Sequence, residues 1–328
     1  MFALTLRFSV IGWYAASYLN LSPVWVAALP MASSIPTILL SLPSGVLADR
    51  YDTKNILIWT AGLTAVISWI LWVVVALDVA GVSELLAWAI LAGIFAAVAS
   101  PAQNAFLPRL IDMAAMTSAV AFTSMVWNSM RVAGPALGAG IITLFGFGAG
   151  FIMMPIGFTL SLIVLLILEA KPEGERADGD TSMGGQMVEG LQFIFDNRLF
   201  LNIIGLTFTF SLFGMSYVVL LPSFANDILR ATTLQFGLLE AAAGAGAVLG
   251  TLAIMRLDAE RKGSWLMLCS ALIFSCCIGL FSFSRVIEIS LIILFAAGFS
   301  ASIFLNIGMV TMQLNVPDSM RGRVMGIW

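Results

Sequence analysis

Ten stretches of mostly apolar residues, each about as long as a bilayer crossing, govern what this chain can fold into. They cover residues 1–19, 24–46, 55–77, 85–107, 117–145, 150–168, 199–224, 234–255, 264–283 and 289–314, and a further one opens at 324–328. A helix needs about 20 such residues to cross the hydrocarbon core. The runs are rich in Leu, Ala, Gly and Met and lack the alternation of barrel strands. Backbone groups in lipid must be bonded within their own segment, which leaves helices. Composition agrees: 60% of the 328 residues are hydrophobic and 10% charged, against ~25% charged in soluble domains. The expected class is an all-α integral membrane protein. The first run lacks a small-residue cleavage site and reads as a spanning helix.

Charge gives the orientation. If the loops alternate from the first run, one side collects Arg50, Lys54, Arg109, Lys171, Arg176, Arg198, Arg256, Arg261, Lys262, Arg321 and Arg323, and the other only Arg230 and Arg285. An excess of Lys and Arg marks the cytoplasmic side. The expected location is the plasma membrane, multi-pass, with loops 47–54, 169–198 and 256–262 cytoplasmic. Residues 169–198 form the one long polar connection. Its first half reads as a flexible linker. From Gln186 to Arg198, Met187, Leu191, Ile194 and Phe195 fall on one side, the pattern of a helix lying on the membrane surface.

Several functions are excluded. The sequence has no His, so a histidine base, relay or metal site is absent. Cys269, Cys276 and Cys277 share one apolar run without metal-ligand spacing. Net charge is −3 with no basic stripe, against nucleic acid as a partner. The glycines at 146–150 lack the Lys-Ser/Thr of a phosphate loop, and those at 244–250 lie within a spanning run. Acids are scattered over loops, so no enzyme, metal or cofactor is expected.

Two pairs of anchors indicate an internal repeat. GVLADR at 45–50 matches GTLAIMR at 250–256 through Gly45/Gly250, Leu47/Leu252 and Ala48/Ala253, an offset of 205. Pro108 matches Pro317 at an offset of 209. Each pair lies on the same side after the equivalent run. The expected organisation is a helical half at 1–168, the linker at 169–198 and a second half at 199–328. Parallel repeats are a transporter device, with the substrate between the halves near the midplane.

Three groups of residues are candidates for function. The first is the charged loop: Gly45 lets two helices close up, and Asp49, Arg50 and Lys54 follow, with Asp52-Thr53 able to cap the next helix. A carboxylate at Asp49 gains nothing from its own helix end and would do better facing another helix N-terminus. The second is Arg131, Gly134, Pro135 and Gly138. Proline within a span removes a donor and kinks it, the glycines permit close approach, and Arg131 can snorkel. The third is intramembrane charge, which is costly and defaults to function. Glu240 could carry a proton or face a cationic substrate, or face water at the outer mouth. Arg7 could pair with it or meet an anion. Gln103, Asn104 and Asn128 add polar wall, as do Asn202 and Asn306.

The stretch LPSGVLADRYDTK at 42–54 resembles the loop between helices two and three in the major facilitator superfamily. The family pattern has Gly and Arg where this chain has Asp52 and Thr53. An Asp there is common in the branch of enterobactin-type and macrolide-type exporters. RVAGPALGAG at 131–140 resembles the helix-five motif of its antiporters. The resemblance implies a major facilitator fold of two six-helix pseudo-repeats, the second incomplete here. Helix twelve and most of helix eleven are expected to be missing. It also implies a conformational latch between Asp49 and the start of helix eleven, near Arg321 and Arg323. The function it implies is proton-coupled export of a small amphipathic drug or siderophore-like molecule by rocking-bundle alternating access. The partners are then cargo, protons and lipid, and the protein is a monomer. An importer, a lipid-handling permease and a non-transporting scaffold or sensor are the alternatives.

Overall fold

The computed structural model describes residues 2–110, 116–168, 183–254, 259–317 and 324. Every regular element among them is a helix. Helix α1 (Phe2–Trp13) widens into a π turn at Tyr14–Tyr18 and is followed by α2 (Pro23–Arg50), α3 (Thr53–Ala76), α4 (Val82–Leu110), α5 (Met116–Phe145) and α6 (Phe147–Ile167). Then come α7 (Met183–Asp196), α8 (Arg198–Thr209), a π turn at Phe210–Gly214, α9 (Ser216–Asp227), α10 (Thr233–Ile254), α11 (Ala259–Phe283) and α12 (Ile287–Asn315).

Eight helical segments are long and apolar enough to cross a membrane: parts of α2, α4, α11 and α12, all of α3, α6 and α10, and the continuous Arg198–Asp227 stretch. Two of the ten expected spans fall short of that standard among the described residues. Helix α1 has 12 residues before its π turn, and the apolar part of α5 is Val132–Phe145. Large apolar side chains such as Ile38, Leu39, Trp59, Leu144 and Phe283 are exposed, as lipid contact requires.

The chain forms two compact units. One comprises Met1–Arg176 and Val219–Ala241, the other Ala177–Val218 and Ala242–Trp328. In the first, Leu6 and Val10 of α1 and Tyr14 of the π turn pack with Leu71 and Val75 of α3, Trp88 of α4, and Phe151 and Met154 of α6. The Trp88 indole N–H donates to Ser68 Oγ at 3.2 Å and that of Trp72 to the Gly148 carbonyl at 3.0 Å, so these donors are paired. In the second unit, Phe210 stacks on Phe304 at 4.2 Å and tilts against Phe274 at 4.5 Å. Ile194 of α7 joins that core beside Phe200. Thus α7 is helical as its spacing predicts, with Ile194 turned inward and Phe195 exposed.

Lipid tails are as apolar as leucine, so helices in a membrane gain from close packing rather than from leaving water. Glycine supplies that closeness at one crossing in each unit. A Cβ on Gly93 of α4 would strike the Ser33 carbonyl of α2, and one on Gly298 of α12 would strike the Ala243 carbonyl of α10. The two glycines are 205 residues apart, the offset of the Gly45/Gly250 match.

Backbone conformation marks the turns on the side the charges assign as outer. Asn20 (φ 50°), Asp78 (φ 59°), Arg230 (φ 49°) and Gly146 (φ 83°) are the residues with positive φ among those described, and all lie in such turns. Asn and Asp tolerate this conformation better than most residues. Tyr18 Oη donates to Asp78 Oδ1 at 2.7 Å, tying two of these turns together.

Candidate functional site

The charged loop is built from the ends of three helices. Asp52 is the N-cap of α3, where its Oδ1 accepts from the Asn55 N–H at 3.0 Å. Thr53, 2% exposed, is the first residue of the helix. Arg109, from the last turn of α4, reaches across to both. It donates to Thr53 Oγ1 at 2.6 Å and to Asp52 Oδ2 at 3.3 Å, over the Phe106 ring. This is the one ion pair among the described residues, with the Arg109 side chain 14% exposed. Partial burial pushes the Asp52 carboxyl up, but the Asn55 N–H, Arg109 and the Lys54 N–H together hold it below the usual range.

Arg109 entered the sequence reading only as a cytoplasmic charge. A signal was available: Thr53 stands where the family pattern has a cation, and Arg109 delivers one to that place from another helix. Gly45 is buried in α2, and the backbone is helical through Asp49 and Arg50, whose side chains lie outside the described residues. Lys54 is half-buried in the first turn of α3. Arg321 and Arg323 lie outside the described residues.

Helix α5 runs unbroken through Pro135. Its Gly134 and Gly138 are buried against α1, where added Cβ atoms would lie 2.6 Å from Thr5 Oγ1 and 2.6 Å from Leu6 Cδ2. The expected close approach is therefore made, and α1 is the neighbour. Arg131 is in the same helix, with its side chain outside the described residues.

Glu240 lies on the third turn of α10 and accepts a hydrogen bond from the Ser9 hydroxyl of α1. One turn further along α1, the Trp13 indole N–H donates to Thr233 Oγ1 at 3.0 Å, and its ring stacks on Phe236 at 4.6 Å. Arg7 is not brought to Glu240. Its guanidinium lies 4.6 Å from the Phe8 ring centroid, and its buried Nε has no hydrogen-bond partner. Arg7 and Ser9 are two residues apart, roughly 200° around a helix, so they face different neighbours.

The amides divide. Gln103, Asn104 and Asn202 are exposed, and the side chain of Asn128 lies outside the described residues. Asn306 donates to the Ser302 carbonyl at 2.8 Å within its own helix. Among the described residues, the geometry gives two polar nodes. One is Asp52–Thr53–Arg109 at the ends of α2, α3 and α4, and the other is Ser9–Glu240 within the bundle.

Comparison with known proteins places this geometry in context. The family described as transmembrane secretion effector, MFS_3, matches residues 5–328. The staphyloferrin A transporter of Staphylococcus aureus (strain NCTC 8325 / PS 47) is 25% identical over 256 residues, 75% of this chain and 62% of its own length. The enterobactin exporter EntS of Escherichia coli O81 (strain ED1a) is 25% identical over 286 residues, 87% of this chain and 67% of its own length. The chain thus spans about three fifths to two thirds of these relatives. A bacterial homolog of the human lysosomal transporter Spinster, in an inward-facing and unoccupied conformation, superposes with a TM-score of 0.73 at 15% identity, covering 99% of this chain and 75% of that one.

Proposed function

Because the chain belongs to the transmembrane secretion effector family of the major facilitator superfamily, we propose that it exports a siderophore-like amphipathic molecule in exchange for protons. It is an all-helical, multi-pass membrane protein of major facilitator fold and not an enzyme. Two relatives named for siderophore transport support the cargo class. The observation that carries the mechanism is the Glu240 carboxyl inside the bundle, with a neutral hydroxyl as its partner. A carboxyl without a compensating cation is suited to take up and release a proton.

The two lobes, residues 1–168 and 199–328, rock about a central cavity in the cytoplasmic membrane of a bacterium, the protein acting as a monomer. Loops 47–54, 169–198 and 256–262 face the cytoplasm. Asp49, with Arg50 and Lys54, latches that side against the segment of Arg321 and Arg323, while Gly45 allows the approach. Gly134, Pro135 and Gly138 shape α5 for export, with Arg131 anchoring its cytoplasmic half. Arg7, Gln103, Asn104 and Asn128 are the remaining candidates for cargo contact. A membrane potential supplies ~2.3 kcal/mol per charge per 100 mV. One proton per cycle therefore sustains a gradient of roughly tenfold to a hundredfold.

The test is uptake into energised everted vesicles, with staphyloferrin A and enterobactin as trial cargoes. One of them is expected to accumulate, and a protonophore to abolish the accumulation. Glu240→Gln is expected to remove the dependence on the proton gradient while the protein still reaches the membrane. Accumulation that persists without a proton gradient overturns the coupling, and proton-driven uptake that survives the substitution removes Glu240 from it.

A further inference from the structure

The contacts of Ser9 and Trp13 extend well beyond one carboxyl. On α10, Thr233, Phe236, Gly237 and Glu240 recur at the spacing of a single helix face. On α1, Ser9, Gly12 and Trp13 do the same. The two faces close on each other within one compact unit. Trp13 and Phe236 stack with an interplanar angle of 8° and are 2% and 1% exposed. Gly237 has no side chain, and Ala139 and the Pro135 carbonyl of α5 occupy the space beside it. Pro222 of α9 covers Gly12, where an added Cβ would lie 3.1 Å from Pro222 Cγ and 3.9 Å from Pro222 Cβ.

The placement of this seam is informative. Trp13 ends α1 just before the outer turn containing Asn20, and Thr233 begins α10 just after the outer turn containing Arg230. Its partners α1 and α5 belong to the first proposed lobe, and α9 and α10 to the second. We propose that the seam is an outer gate: Trp13 is its positioning residue, Phe236, Thr233 and Pro222 its opposite face, and Ser9–Glu240 its inner rung. This inference rests on the two-lobe reading above.

The chemistry suits a contact made and broken in every cycle. Stacking, two side-chain hydrogen bonds and packing against glycine separate without parting an ion pair. The glycines at 12 and 237 let the helices come close enough to exclude solvent when shut. Opening frees the Glu240 carboxyl from Ser9, so cargo exit and the state of that carboxyl are linked by geometry.

Gly12→Cys with Pro222→Cys tests the gate directly, in a chain whose Cys269, Cys276 and Cys277 are replaced by Ala. The Cβ separation of 3.9 Å falls within the range of disulfides. Oxidation is expected to cross-link the pair and stop transport, and reduction to restore it. Failure to cross-link, or transport at an unchanged rate in the cross-linked chain, overturns the gate.

A second measurement needs no cargo. A membrane-impermeant maleimide added from outside is expected to label Gly12→Cys slowly. Adding Trp13→Ala should raise that labelling several-fold, and Trp13→Phe, which keeps a stacking ring, should not. Equal labelling in all three chains overturns the role of Trp13. If the reduced double-cysteine chain moves neither siderophore, the proposed cargo fails, and the labelling still decides the gate.

Discussion

At the scale of single residues, the Arg109 pair shows how a short local motif is completed from a distance. Asp-Thr ahead of an apolar run announced a helix cap, and Asp52 makes that bond. Nothing local announced that α4 would send a guanidinium to the same two residues, 56 and 57 positions away. Arg109→Gln is expected to cost about 1–2 kcal/mol, the loss of one hydrogen bond and a partly exposed pair. The drop should appear as a lower midpoint in detergent melting. Asp52 adds a pH signature. Its carboxyl is held below the usual range in the fold, so its contribution is complete above that range, near ~4, and fades as pH falls through the lowered value. Asp52→Asn should therefore lower the melting midpoint at pH 7 and make no difference at sufficiently acid pH. A deficit that grows on acidification would contradict this assignment. Glu240 gives the complementary lesson: the sequence marked the residue, but its partner was fixed by the rotation between positions 7 and 9 of α1.

At the scale of elements, the helices were legible because length and apolarity dictate them, though two of the ten fall short of a full crossing among the described residues. The ten apolar runs coincide closely with helices or continuous helical segments. The π turns at Tyr14–Tyr18 and Phe210–Gly214 were not legible, since a wider turn leaves the hydrophobic pattern nearly unchanged. Glycine roles were legible only in kind. Gly93 and Gly298 sit where a backbone carbonyl blocks any side chain, while Gly140 and Gly279 have nothing within 4 Å of an added Cβ. Gly93→Ala and Gly298→Ala are each expected to destabilise the protein by about 1–3 kcal/mol through overpacking. Gly140→Ala and Gly279→Ala should be neutral or stabilising by up to ~1 kcal/mol, because alanine favours helix. Thermal melting of the four variants, read by size-exclusion fluorescence, checks the contrast. Equal behaviour in all four would mean that the crossings carry no packing load.

At the scale of the whole molecule, two divisions of the chain answer to different causes. Sequence likeness divides it at the 169–198 linker; contact divides it there too, after Arg176, but shifts Val219–Ala241, most of α9 and the start of α10, into the first unit. The seam of Ser9, Trp13, Thr233, Phe236 and Glu240 binds the start of α10 to α1 and accounts for the shift. The charges of Lys54 and Lys262 test the lobe reading itself, because the repeat puts both on one face of the membrane. Single cysteines at these positions should react with an impermeant maleimide in everted vesicles and resist it in intact cells. Reaction of the two from opposite faces would break the equivalence of 45–50 with 250–256. The lobes, the latch and the outer gate would then lose their common premise, while the helices and their packing would stand.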